Sequence, residues 1–188
     1  MRHLVPSAVL IAALLCLSPA FAAELAGVAL PDTESGNERE LVLNGIALRE
    51  KFFVDVYVAG LYLAEKSNEP NKILENGEPR IMVMRFLRDV DAKAINQAWI
   101  EGLEANVESV APELRKEFDE LTGMMADMKE GQEMRFTYTQ GVGTLVMIAG
   151  QAKGTIPGKD FADAILSTWI GPKPGPGASF KRQILGGK

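Results

Sequence analysis

One histidine and one cysteine are all that the 188 residues contain, and both, His3 and Cys16, fall within the first 22 positions. The rest of the chain has neither imidazole nor thiol. That excludes Ser-His-Asp and Cys-His nucleophilic machinery and a histidine proton shuttle. It also removes the usual ligands of zinc, copper, haem and iron–sulfur sites, so no metal and no cofactor is expected. No disulfide can form beyond residue 22, and stability has to come from a buried core. An excess of positive charge is missing as well. Lys and Arg number 20 against 25 Asp and Glu, for a net charge of −5, the wrong sign for a protein that holds nucleic acid by counterion release. What is present is an ordinary globular mixture, 47% hydrophobic and 24% charged, in a length of about one domain.

The opening MRHLVPSAVLIAALLCLSPAFA has a cationic start at Arg2, an apolar run from Ala8 to Leu17, and small residues Ala20 and Ala22 before a cut ahead of Ala23. This is the pattern of a secretory signal peptide over residues 1–22, followed by one domain over 23–188. The run is too short and too closely bounded by Pro6 and Pro19 for a membrane anchor, which needs about 20 apolar residues. No second long apolar stretch follows, so the expected product has no stable membrane span and resides in the periplasm or a comparable exported space. Cleavage leaves 166 residues with a net charge of −6, enough chain to bury about 70% of its unfolded surface.

ELVLNGIALR and KFFVDVYVAGLYL read as two extended segments between Glu40 and Leu63. In the second, strict alternation puts Phe53, Asp55, Tyr57, Ala59 and Leu61 on one face and Phe52, Val54, Val56 and Val58 on the other, so both faces are apolar and both should be covered. A short helix is expected from Pro70 to Asn76 and a strand from Arg80 to Leu87. Asp91 is the N-cap of a helix whose apolar residues, Ile95, Ala98, Trp99, Gly102, Leu103, Val107 and Val110, fall at spacings of three and four. Pro112 ends that helix or opens the next, which presents Leu114, Phe118, Leu121, Met124 and Met125. EMRFTYTQGVGTLVMIAGQ gives two strands around the turn at 141–143. A helix from Asp160 to Ile170, the Gly/Pro-rich GPKPGPG and a short amphipathic SFKRQILG close the chain. The order points to an α+β fold, an antiparallel sheet with a helical layer on one face.

Several motifs fail on inspection. GTIPGKD has too short a glycine spacing and no Ser or Thr after Lys159, so it is not a phosphate loop. Gly141-Val142-Gly143 lacks the third glycine of a dinucleotide fingerprint. Asp89 and Asp91 lack a calcium-loop pattern and suit a helix start. Met124, Met125 and Met128 lie at helical spacing and suit core packing better than copper.

LNGIALREKFFVDVYVAGLYL, from Leu43 to Leu63, resembles the signature of the chalcone isomerase superfamily, in its bacterial exported, chalcone isomerase-like branch. FLRDVDAKAINQAWIEGLEAN and GTIPGKDFADAILSTWIG resemble that branch's strand-to-helix junction and C-terminal helix, and the likeness runs from about Leu41 to Leu185. It implies an open-faced β-sandwich with a ligand cleft between sheet and helices. It further implies that Arg49 is the cleft arginine of the enzymes and their fatty-acid-binding relatives, that Thr168 is the cleft threonine, and that Tyr57 pairs with Arg49 in holding a carboxylate. On the long helix the active enzymes carry a Tyr and an Asn seven residues apart, where an ungapped match places Ile95 and Gly102.

Ring closure by addition of a phenolate to an enone needs donors for the developing enolate. Ile95 and Gly102 supply none, and each missing donor typically costs about 10² to 10³ in rate. Arg49 remains, a fork suited to a two-oxygen anion. The expected function is a non-catalytic exported protein that binds a fatty acid or other small carboxylate through Arg49, Tyr57 and Thr168. Two alternatives stand beside it: an isomerase of the intramolecular lyase type, with Arg49 as electrophile and Tyr57 as acid or base, and a cell-envelope accessory protein with a vestigial cleft. Each site residue also has a plainer reading. Arg49 can be a solvated strand-end charge, Tyr57 a core residue, and Thr168 a threonine whose hydroxyl returns to its own helix.

Overall fold

The computed structural model describes residues 21–36 and 39–187. The expected signal peptide lies outside the described residues except for its last two positions, which begin the first strand. Among the described residues the chain forms β1 (Phe21–Leu25), β2 (Val28–Pro31), β3 (Thr33–Gly36), β4 (Arg39–Lys51), β5 (Val54–Leu63), α1 (Pro70–Glu75), β6 (Arg80–Phe86), α2 (Ala92–Asn106), α3 (Pro112–Met124), β7 (Glu133–Thr139), β8 (Gly143–Ile148), β9 (Gln151–Ile156), α4 (Lys159–Ile170) and α5 (Ala178–Ile184). Strands β3 to β9 pair in sequence order as one antiparallel sheet, and β1–β2 is a separate hairpin.

Alternation along the central strands sorts two cores. Met82, Met84 and Phe86 of β6 join Ala59, Leu61 and Leu63 of β5 beneath the helices, with Ile95, Trp99 and Leu103 of α2, Phe118 and Leu121 of α3, and most of α4. Ile81 and Val83 point the other way, with Leu41, Leu43 and Tyr62, and Leu30 of the β1–β2 hairpin covers them. The Tyr62 hydroxyl fastens that hairpin by donating to the Pro31 carbonyl at 3.1 Å. Both faces of β5 are therefore covered, as its composition requires. Helix α4 is buried along nearly its whole length from Phe161 to Ile170. Its half-buried Asp163 takes ion pairs from buried Arg80 and from Lys159.

Helix starts follow the sequence closely. Asp91 caps α2 by accepting from the Ala94 N–H at 2.7 Å, and Pro112 opens α3. Val107 and Val110 correct the expected stripe: α2 stops at Asn106, and both valines pack on the core from the linker. Strands β1 to β3 and β9 are additions to the sequence reading. They are short, and TESG and QAKGTI carry few apolar residues to mark them.

Two β-bulges govern what the sheet presents to the helical layer. In β4, Leu43 pairs with Tyr62 and Gly45 with Leu61, leaving Asn44 as the extra residue. Buried Asn44 is held from both sides: its amide donates to the Ile184 carbonyl at 3.1 Å and its oxygen accepts from the Ser67 N–H at 2.8 Å. Beside it, Gly45 lies so close to α5 that a Cβ there would come within 2.4 Å of the Gln183 carbonyl oxygen. One inserted residue exchanges the two faces of a strand. Leu41 and Leu43 accordingly face the hairpin, whereas Ala47 and Arg49, of the same parity, face the helices.

In β5 the second bulge leaves Val56 as the extra residue, since Arg49 pairs with Tyr57 and Glu50 with Asp55. The alternation expected over Phe52 to Val56 is corrected accordingly. Val56 and Tyr57, neighbours in sequence, both face the helical side, and Phe52 and Phe53 are turn residues. Both phenylalanines have positive φ, 52° and 63°, a conformation that costs an L-residue about 1–2 kcal/mol. Replacing Asn44 by Ala removes both side-chain hydrogen bonds of the first bulge, and urea unfolding should show a loss of about 2 kcal/mol; an unchanged midpoint would mean that the bulge does not depend on its asparagine.

Candidate functional site

A cleft of about 340 Å³ opens between the sheet and the helical layer. Val56 and Tyr57 of β5 with Met84 and Phe86 of β6 form its sheet side, and α2 lines the other with Ile95, Trp99 and Gly102 inside and Ala94, Ala98 and Ala105 towards the opening. Thr168 and Trp169 of α4 lie at its base, and Lys173, Gly175 and Pro176 of the Gly/Pro-rich loop form part of the rim. Asn106 fastens that loop to the end of α2, donating to the Gly102 and Lys173 carbonyls at 2.9 Å each and accepting from the Lys173 N–H at 2.8 Å.

Arg49 is half-buried in the cleft wall, directly across the β4–β5 ladder from Tyr57. Its guanidinium has no ion pair or side-chain hydrogen bond among the described residues. Tyr57 is almost fully buried between Phe86 and Phe180, with ring centroids 5.7 Å and 6.1 Å away. Its hydroxyl accepts the indole N–H of Trp169 at 3.1 Å. An acceptor role towards Trp169 leaves the phenolic proton free to be donated elsewhere, and no protein acceptor takes it among the described residues. Burial pushes the Tyr57 pKa up to about 12, outweighing the opposing pull of the Trp169 hydrogen bond and the Arg49 charge. Tyr57 is therefore a neutral donor at physiological pH and is unsuited to be a general base. Arg49 and Tyr57, paired across the β4–β5 ladder, bring a cationic fork and a hydroxyl donor to a mainly apolar cleft. That is the complement of an anion with an apolar tail.

Thr168 has a smaller part. Its hydroxyl donates to the Ile165 carbonyl of its own helix at 2.7 Å, so it has no proton left for an anion. Its methyl packs on Gly102, where an added Cβ would lie 2.8 Å from Thr168 Cγ2 and 2.9 Å from its Cβ. Gly102 is thus the contact point of α2 with α4, and an asparagine at that position has no room while Thr168 stands opposite. Ile95 and Gly102 both line the cleft, and neither brings a polar side chain to it.

A family model described as chalcone isomerase-like matches residues 22–186. The chain belongs to the chalcone isomerase-like family. Among solved structures, a fatty-acid binding protein of Arabidopsis thaliana superposes with a TM-score of 0.63 at 16% identity, covering 85% of this chain and 92% of that one. At that identity the likeness establishes the fold, the open-faced β-sandwich of the family, and leaves the ligand open. No curated protein matches.

In this chalcone isomerase-like protein the cleft carries one acidic side chain, Glu101, among its lining residues. No group of three metal-binding side chains occurs among the described residues. The methionines serve packing: Met128 is fully buried, and Met125 sulfur lies 3.4 Å from the indole nitrogen of Trp99. Asp89 pairs with Lys129 and Asp91 caps α2.

Sequence reasoning missed four residues of the site. Trp169 orients Tyr57, Asn106 secures the rim, and Lys51 and Lys173 place two further cations at the cleft. Trp169 adjoins Thr168 in the helix that marked the family, and a buried indole needs an acceptor for its N–H. The glycine- and proline-rich 171–177 segment hid Lys173 among residues that read as linker.

Two substitutions check this geometry. Tyr57→Phe deprives the buried Trp169 N–H of its acceptor and should cost about 1–3 kcal/mol in urea unfolding; no loss would show that the indole proton is satisfied elsewhere. Gly102→Asn should destabilise by a similar amount through overpacking, and a compensating Thr168→Ala should recover most of the loss.

Proposed function

We propose that this chalcone isomerase-like protein is a non-catalytic carrier or receptor for a small or medium-chain carboxylate, of which a fatty acid is the leading candidate, and that it acts in an exported compartment after removal of residues 1–22. The observation that carries the reading is the Arg49 guanidinium in the wall of an apolar cleft, unpaired among the described residues, beside a tyrosine hydroxyl whose proton finds no acceptor among them. A charge held partly out of water without a partner is costly. An ionised carboxylate offsets that cost with charge-assisted hydrogen bonds from both groups. The cleft volume of about 340 Å³ is at the lower end of ordinary ligand sites, about 300–1,000 Å³, which favours short tails over long ones. The Arabidopsis neighbour is a fatty-acid binding protein, which fits the same chemistry. Thr168 contributes wall surface rather than a donor. The raised Tyr57 pKa, about 12, disfavours the general-base role in the isomerase alternative and leaves the tyrosine a proton donor.

Lipids extracted from the purified protein should contain a carboxylate by mass spectrometry, and decanoate should raise the Tm. Arg49→Ala should weaken decanoate by roughly 10- to 150-fold, the equivalent of about 1.5–3 kcal/mol for a charged hydrogen-bonded contact. Binding unchanged by that substitution, or a cleft empty of carboxylates and indifferent to them, overturns the reading. Affinity should be flat from about pH 6 to 9, since Tyr57 stays protonated, and should fall as the pH drops through the ligand's own carboxyl pKa. An affinity that instead rises on acidification would mean that the cleft prefers the neutral acid.

A further inference from the structure

The β4–β5 hairpin ends in Phe52 and Phe53, which are 85% and 100% exposed, with Val54 beside them at 42%. Among the described residues, three hairpin turns place two consecutive residues at positive φ. Two of them, Ala26-Gly27 and Ala149-Gly150, use glycine at the second position. The third uses phenylalanine at both, where Asn-Gly is the favoured pair. The sequence thus accepts backbone strain to hold two large apolar rings in water, and strain of this kind persists where function requires it.

The position of the tip gives it a purpose. Lys51 immediately precedes it and lines the cleft together with Arg49 and Lys173. None of these three cations has an ion pair among the described residues, and the Lys51 ammonium lies 5.9 Å from the Phe52 ring centroid. A chain of net charge −5 therefore gathers unpaired cations where its apolar tip and its cleft mouth meet. Glu101 is the acidic residue among the cleft-lining side chains, and Glu50 and Asp55 flank the tip without lining the cleft.

We infer that this hairpin tip docks on a lipid bilayer, with Phe52 and Phe53 entering the interface and Lys51 and Lys173 meeting phosphate headgroups, so that the cleft mouth faces the source of its ligand. A second protein copy suits the tip poorly. Fully burying two phenylalanines covers about 150–250 Å² each, far below the roughly 800 Å² per partner of a stable interface. A bilayer needs no matching surface, since aromatic side chains settle at the headgroup level. The delivery role rests on the carboxylate reading of the cleft, whereas the docking itself rests on the tip alone.

The decisive variant is Phe52→Asn with Phe53→Gly, which installs the favoured turn pair and so raises the Tm while removing both rings. Flotation of the full chain with phosphatidylethanolamine/phosphatidylglycerol vesicles should recover the unsubstituted protein and at least tenfold less of the variant. Decanoate affinity in vesicle-free buffer should be the same for both. Lys51→Gln should weaken vesicle binding about fivefold and only where the lipid is anionic. Three results overturn docking: no flotation of the unsubstituted protein, equal flotation of the variant, or a concentration-dependent dimer in sedimentation that the variant abolishes. Loss of decanoate binding by Arg49→Ala with flotation unchanged separates the cleft from the tip. Flotation without any carboxylate binding keeps the docking and removes the delivery role.

Discussion

A single extra residue in β4 decides which side of the sheet Arg49 faces. Asn44 stands outside the ladder, gripped by the Ile184 carbonyl and the Ser67 N–H, and beyond it the strand exchanges its faces. Leu41 and Leu43 can then bury under the β1–β2 hairpin while Arg49, of the same parity, lies in the cleft. Without the bulge, the pattern that gives β4 a dry outer face would send the guanidinium to that face as well. The bulge at Val56 completes the arrangement by turning two successive β5 residues towards the helices. Architecture and site are thus settled by the same pair of register shifts.

The polar end of the cleft follows from the order in which hydrogen bonds are used. Trp169 takes the acceptor side of the Tyr57 hydroxyl, so the tyrosine can only donate further, and its burial keeps the proton in place. Thr168 has already spent its proton on Ile165. What remains facing the cavity from these groups is one cation and one neutral donor. Such a pair suits an anion that arrives already charged. Ile95 and Gly102 add no side-chain donor to it, and Gly102 is committed to the α2–α4 contact.

How far the sequence revealed this depends on whether a feature is local. The Asp91 cap, a helix boundary at Pro112 and the apolar character of both faces of β5 are set within a few residues and are legible from spacing, whereas which helix Pro112 opens and which way Val56 faces are not. The α+β order and the family blocks were legible for the same reason. The hairpin tip was hidden because Phe52-Phe53 carries none of the usual turn residues. Strands β3 and β9 gain their pairing from neighbours rather than from their own composition. The first bulge left a trace in Asn44-Gly45, since a glycine inside an apolar strand marks a bulge or a close approach, but its effect on Arg49 exists only in the paired sheet. The likeness to known enzymes drew attention to Arg49 and Tyr57, which line the cleft; the division of labour between Tyr57, Trp169 and Thr168 required the three-dimensional hydrogen bonds.

The central claim is that an ionised carboxylate lies against Arg49 and Tyr57. The most direct test is an NMR pH titration of decanoate labelled at its carboxyl carbon, bound to the intact protein. The account predicts that the bound resonance keeps its ionised position to a pH well below that at which the free acid protonates. A bound resonance that titrates at or above the free acid's pH would mean that the carboxyl is held neutral in an apolar setting, and would contradict the claim.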